Sequence, residues 1–198
     1  MIYPLPTSNA GYPEPVYFWE DFLTDRELHT ILSYPNWDSL VKARVGDSNL
    51  EINKTRCSEV SFLEASIETA WLFDKLATVI ATVNAKNFRF DLDGLSEGIQ
   101  LGLYSGKDEG HYDWHIDSGG GAVTSTIRKL SFSLLLSNPS EFEGGRFEVK
   151  TESDNPIELE QKRGRAWLFP SHILHRVTPV TKGERKSLVI WVSGPQFR

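Results

Sequence analysis

Beyond residue 87 the chain is a succession of short apolar runs with a period of two, and few folds accept that pattern. FRFDL, IQLGLY, LSFSLLLS, GRFEVK, RAWLFP and KSLVIWVS follow one another, separated by Gly, Pro, Ser and Asn. Runs of this length bounded by turn formers read as strands. In KLSFSLLLS, Leu130, Phe132, Leu134 and Leu136 fall on one face, Ser131 and Ser133 on the other, because successive side chains of a strand alternate. Many short strands of this kind close into a double-sheet jelly roll or barrel.

The first part of the chain reads differently. Its first fifteen residues hold four prolines and predict an extended arm. In FLTDRELHTILSY, Thr24 and Glu27 have capping-box spacing, and Leu28, Ile31 and Leu32 make one helical stripe. The strongest helix is predicted over residues 64–84, where Leu72, Leu76, Val79, Ile80 and Val83 recur at helical spacing. No linker or internal repeat interrupts the chain. The expected architecture is one domain, 1–198, mainly β with flanking helices: a helical support region over 1–86 and a jelly-roll (double-stranded β-helix) core over 87–198.

Composition narrows the function. The net charge of −6 argues against nucleic acid or an anionic membrane as partner. The one cysteine, Cys57, excludes an internal disulfide and a CxxC zinc site, and reads as a small packing residue. The N-terminal stretch has no secretory-signal pattern, and no apolar run has the length of a membrane span, so a cytoplasmic setting is expected.

The stretch HYDWHIDSGGG carries His-x-Asp twice, as His111-Tyr112-Asp113 and His115-Ile116-Asp117. In a regular strand all four side chains point one way. Two of them, joined by a distant histidine from FPSHILHRVTPV (His175 or His172), make a two-histidine, one-carboxylate set. That set occupies one face of an octahedron and leaves positions open, the arrangement of non-haem Fe(II) oxygenases. A closed zinc site usually wants sulfur, which is nearly absent here. Each His-x-Asp taken alone is also what a solvated strand or a capped loop produces.

The surrounding blocks add a resemblance. IQLGLYSG, HYDWHID, RKLSFSLLLS, EFEGGRFEV and GRAWLFPSHILHRVTPVTKGERKSLVIWVS occur in the order found in the Fe(II)/2-oxoglutarate dioxygenases. From Cys57 to the C-terminus the chain resembles their prolyl 4-hydroxylase-like branch, in particular the PKHD-type hydroxylases. The resemblance implies His115, Asp117 and His175 as metal ligands, with HYDWHID matching Tyr-x-x-His-x-Asp. It implies Arg185, ten residues past His175, as the partner of the distal 2-oxoglutarate carboxylate, and Tyr104 as a hydroxyl donor to the same group. The spacing from Tyr104 to His115 is somewhat longer than the family's, and a core tyrosine bonded to a backbone carbonyl is the alternative reading of Tyr104. Arg185, Ser187, Val189 and Trp191 share strand parity, and Lys186 faces the other way. His111 and Asp113 then read as groups behind the ligands, as substrate contacts or as ordinary strand residues, His172 as a loop residue, and Trp114 as packing.

The implied cofactors are Fe(II), 2-oxoglutarate as co-substrate and O2, with ascorbate as reductant. The implied reaction hydroxylates an unactivated C–H bond, of proline in a peptide or protein, and releases succinate and CO2. Hydroxylation of a free amino acid or small metabolite is the alternative within the family. A catalytically silent jelly-roll module that binds metal or ligand is the alternative outside it. Residues 38–58 and the SGGGAVTST loop are expected to flank the substrate groove, the loop either as a closing lid or as plain surface. Gly144 and Gly145 are expected to serve a backbone turn.

Overall fold

The computed structural model describes residues 14–43, 55–119, 126–151 and 155–196. The predicted N-terminal arm falls almost entirely outside these residues, as do the centre of the 38–58 flank and most of the SGGGAVTST loop.

Two sheets face one another. The 8-stranded sheet has the order β1 (Tyr17–Trp19), β11 (Ala166–Pro170), β7 (Thr126–Leu135), β13 (Val180–Pro195), β5 (Ile99–Ser105), β4 (Glu59–Leu63), β2 (Val41–Lys42), with β8 (Phe142–Gly144) pairing on β13. The 5-stranded sheet has the order β10 (Ile157–Leu159), β9 (Phe147–Lys150), β12 (Leu174–Val177), β6 (His111–His115), β3 (Arg56–Cys57). All described pairings between these strands are antiparallel. This is a mainly β fold with few helices, and its architecture is the expected jelly roll.

The larger sheet is covered on both faces, and its alternation sorts the residues. Leu130, Phe132, Leu134, Leu188, Ile190 and Val192 pack with the helices α1 (Asp25–Leu32) and α2 (Ala70–Val83), whose Leu28, Ile31, Leu72, Leu76 and Ile80 are buried in the same cluster. A second, smaller cluster, with Phe142, Phe147, Val149, Phe169 and Val177, lies between the sheets. Leu76 is fully buried between α2 and the sheet. Leu76→Ala is expected to cost about 2–5 kcal/mol of unfolding free energy, read by urea denaturation, because the rigid sheet cannot collapse into the space left.

The capping box forms: the Thr24 backbone N–H donates to Glu27 Oε2 at 2.7 Å, and the Glu27 N–H donates to Thr24 Oγ1 at 3.3 Å. Glu27 also holds Lys75 of α2 at 2.8 Å, which ties the two helices together.

Three expectations need correction. The second helix begins at Ala70, not residue 64. Ser66 and Thr69 bond each other and Glu64 (Thr69 Oγ1 to the Glu64 carbonyl, 2.8 Å), and these local bonds compete with helical ones. FRFDL is not a strand. Asn84–Phe88 forms a π-helical turn that ends at left-handed Arg89, and the Asn84 amide bonds both backbone groups of Phe90, taking the donor and acceptor that a ladder would use. Finally, residue 86 does not separate helices from strands, because β1 to β4 precede it and extend both sheets.

The Gly-Gly turn behaves as expected. Gly144 has φ +77°, and a Cβ there would lie 2.2 Å from the Pro179 carbonyl oxygen. The neighbouring Gly145 N–H donates to that same carbonyl at 2.9 Å.

Candidate metal centre

β6 and β12 are neighbours in the smaller sheet, and His115 is the cross-strand partner of His175. Asp117 follows β6 by two residues. Its backbone N–H and that of Ser118 both donate to the Ser171 carbonyl, at 2.8 and 3.0 Å, which turns the carboxylate back towards the histidines. His115 Nε2 lies 3.7 Å from Asp117 Oδ1, and His175 Nε2 lies 3.4 Å from Asp117 Oδ2. One donor atom from each residue falls within 4.8 Å of the others, close enough for a single ion to reach all three.

The proton positions follow from chemistry. His115 Nδ1 is 2.7 Å from the Asp113 carbonyl, and His175 Nδ1 is 2.8 Å from the Ile173 carbonyl. A carbonyl only accepts, so each Nδ1 carries a hydrogen and each Nε2 is the ring nitrogen turned to the centre. Burial first, and then neighbouring His175, pushes the His115 pKa down to about 3, so this imidazole is neutral at ordinary pH. Burial works to raise Asp117, but His175, His115 and the Ser131 hydroxyl outweigh it and hold its carboxyl well below the usual range. Ser131 Oγ donates to Asp117 Oδ2 at 2.7 Å and sits 3.0 Å from Ser171 Oγ. Phe147 and Phe169 stand edge-on to the His175 ring, and Tyr112 stacks on His115 with centroids 3.4 Å apart.

These groups open into a cavity of about 470 Å³ between the sheets, a size normal for a small-molecule site. Arg185, Ser187, Val189 and Trp191 line it together, as the parity of β13 requires, while Lys186 lies over Trp37 on the outside. Arg185 is 3% exposed. Its contacts are Nε to Gln161 Oε1 at 3.4 Å and the Tyr104 ring, 5.5 Å from Cζ, and among the described residues no carboxylate pairs with it. Burial pushes its pKa down, as expected for a guanidinium held without a counter-ion. Tyr104 is the cross-strand partner of Arg185 and lines the same end of the cavity.

Tyr112 faces the cavity, whereas His111 and Asp113 do not line it. Simple alternation put His111, Asp113 and His115 on one face. The β6–β12 register shifts between His175 and Val177, and this irregularity brings Tyr112 to the side of His115. His111 Nδ1 bonds the Glu109 carbonyl, and exposed Asp113 caps the Trp114 N–H. Trp114 packs under Arg176, 4.6 Å from its Cζ. His172 is exposed in the turn between β11 and β12. Cys57 donates to the Asp108 carbonyl, and burial raises its pKa, which disfavours the thiolate. Arg56 and Gln100 also line the cavity and were not expected from sequence.

Comparison with known proteins gives this geometry a context. Residues 99–193 match the model of the 2OG-Fe(II) oxygenase superfamily. A PKHD-type hydroxylase of Synechococcus sp. (strain CC9311) is 40% identical over 87 residues, 43% of this chain and 38% of that protein. One from Idiomarina loihiensis is 39% identical over 93 residues, 44% of this chain and 41% of that protein. The chain thus spans about two fifths of the length of such relatives. Among solved structures, a Pseudomonas putida prolyl-4-hydroxylase aligns with TM-score 0.72 at 16% identity, covering 92% of this chain and 94% of that one. A Trichoplax adhaerens prolyl hydroxylase, solved with a peptide fragment of the hypoxia inducible factor oxygen degradation domain, aligns with TM-score 0.74 at 16% identity, covering 90% of this chain and 83% of that one. At such identity the likeness is one of fold, the double-stranded β-helix.

Proposed function

We propose that this chain, whose residues 99–193 match the 2OG-Fe(II) oxygenase superfamily, is an Fe(II)- and 2-oxoglutarate-dependent dioxygenase that hydroxylates an unactivated C–H bond of proline in a peptide or protein. The observation that carries this reading is the meeting of two histidine Nε2 atoms and one ionised carboxylate in a cavity that also holds a buried guanidinium with no carboxylate partner among the described residues.

The residues suit the cofactors they are assigned. His115, Asp117 and His175 would hold Fe(II): nitrogen and oxygen donors without sulfur, one net negative charge, and an open side towards the cavity. Arg185 would take the far carboxylate of 2-oxoglutarate through its planar fork, with Tyr104 beside it. When bound, iron would let O2 act as the oxidant, one oxygen atom ending in succinate, formed with CO2 from 2-oxoglutarate, and the other in the hydroxylated product. The chain's own work is orientation and exclusion of water. Phe147, Phe169 and Tyr112 dry the surroundings of the histidines, and the two backbone carbonyls keep both Nδ1 protons in place.

Ser131 would steer the Asp117 carboxylate. Ser131→Ala is expected to lower Fe(II) or Mn(II) affinity by roughly 10–100-fold, measured by equilibrium dialysis, as loss of such outer partners generally does.

The proline preference rests on kinship with prolyl hydroxylases of the same fold, one of which was solved with a peptide. Ascorbate as reductant, a cytoplasmic setting and one domain over 1–198 belong to the same reading. Among the described residues no helix is long and apolar enough to cross a membrane. The test is incubation with Fe(II), 2-oxoglutarate, O2 and a library of proline-containing peptides and free amino acids. Succinate release matched by a one-oxygen mass gain on a prolyl peptide is the expected result. A gain on free proline alone moves the substrate to the amino acid, and metal binding without succinate leaves a silent binding module.

A further inference from the structure

The cavity holds a second buried cation whose charge the proposed reaction does not use. Arg56, on the edge strand β3, is 7% exposed and lines the cavity wall. Its Nε donates to Ser58 Oγ at 2.8 Å and its Nη2 to Gln100 Oε1 at 3.4 Å, and its face lies on the Tyr112 ring, 4.5 Å from Cζ to centroid. All these partners are neutral, and Nη1 has no hydrogen-bond partner among the described residues. Among those residues no carboxylate lies within ion-pair distance of Arg56.

The charges around the cavity otherwise balance. Arg128, stacked over Trp191, is met by Glu97: Nε donates to Oε1 at 2.8 Å, and Nη2 pairs with the other oxygen. Fe(II) against Asp117 leaves one positive charge, and Arg185 adds another. The two carboxylates of 2-oxoglutarate cancel both. Among the described residues lining the cavity, Asp117 is the one that is acidic. Arg56 is left over. Burying a guanidinium with no anion is costly, and a neutral side chain would stack on Tyr112 without that cost.

Position separates this cation from the co-substrate. Gln100, which holds Arg56, and Tyr104, which pairs with Arg185, both lie on β5, four residues apart. At about 3.3 Å per residue that is roughly 13 Å along the strand. A five-carbon diacid with one end at the metal ligands and the other at Arg185 leaves the Arg56 end open. Through Tyr112, Arg56 sits two stacked rings from the metal side of His115. That is the cavity end where a substrate group would rest while its target carbon faces the metal.

We propose that Arg56, oriented by Gln100 and Tyr112, is a carboxylate subsite for the substrate, so that the compound hydroxylated carries a negative charge beside its target carbon. This rests on the oxygenase reading and narrows it: the carboxylate is either the free α-carboxylate of an amino acid or an acidic side chain next to a peptidyl proline.

The test is isothermal titration calorimetry of the full chain loaded with Mn(II) and 2-oxoglutarate, which does not turn over. L-proline is compared with L-prolinamide, and a blocked Ala-Pro-Glu peptide with its Ala-Pro-Gln counterpart. The acid is expected to bind roughly 10–100-fold more tightly than the amide in one pair, the span of a hydrogen bond to a charged group. The pair that discriminates identifies the source of the carboxylate. Arg56→Gln should erase the difference, and Arg56→Lys, which keeps the charge, should retain a preference for the acid. Equal binding or none within both pairs overturns the proposal, as does a preference that persists in Arg56→Gln or vanishes in Arg56→Lys. Binding of Mn(II) and 2-oxoglutarate in the same cell tests the oxygenase reading separately, and the paired ligands are also titrated against unloaded protein.

Discussion

His175→Ala should lose metal binding, and with it all 2-oxoglutarate turnover. His175 is the donor that β12 brings across to β6, and its Nε2 is 3.4 Å from the Asp117 carboxylate. Without it an ion would be held by two residues only two positions apart. Loss of an outer partner of a ligand costs about 10–100-fold in affinity, and loss of the ligand itself costs more. Equilibrium dialysis with Fe(II) and succinate detection make the measurement. A variant that keeps one bound metal per chain would remove His175 from the centre. Because His172 stands three residues away, His172→Ala is the control, and it should bind metal as the parent does.

Arg185→Met should produce opposite changes in function and stability. Half-saturation by 2-oxoglutarate is expected to rise steeply, since removing one partner of a buried, hydrogen-bonded charge pair costs about 2–5 kcal/mol. Metal affinity should hardly change, because Arg185 touches none of the three ligands. Stability of the ligand-free protein should not fall. The guanidinium is buried without an anion among the described residues, and an apolar side chain of similar volume removes that penalty. A gain of 1 kcal/mol would raise the melting temperature by about 2–4 °C in a chain of this size. Calorimetry of 2-oxoglutarate binding and thermal melts of the apo proteins check both halves. Unchanged 2-oxoglutarate binding would remove Arg185 from the role assigned to it.

Much of this was legible in the sequence where the backbone is regular. The alternation of Leu188, Ile190 and Val192 against Arg185, Ser187, Val189 and Trp191 follows from strand geometry, and the structure sends the first set to the helices and the second to the cavity. The Thr24–Glu27 cap was equally readable, because its partners are three residues apart. Regularity fails where side chains or register intervene. The shift between β6 and β12 exchanged His111 and Asp113 for Tyr112, and alternation cannot foresee a bulge. Asn84 captured the backbone of Phe90 and undid the FRFDL strand. Arg56 was missed because it stands on a two-residue edge strand, one position before the resemblance begins, and its partner Gln100 is 44 residues away. The one available signal was an arginine opening the RCSEVSFL run, which on its own reads as a solvated strand end.

Both imidazoles in the centre are aimed by the main chain, each through the carbonyl two residues before it. No mutation of a side chain deletes a carbonyl. Positions 113 and 173 are therefore free to drift among homologous sequences while the tautomers stay fixed, provided the local chain path is kept. The centre is insulated from genetic noise at those positions, and its vulnerability moves to whatever bends the strand ends, above all a proline or an insertion near residue 114 or 174.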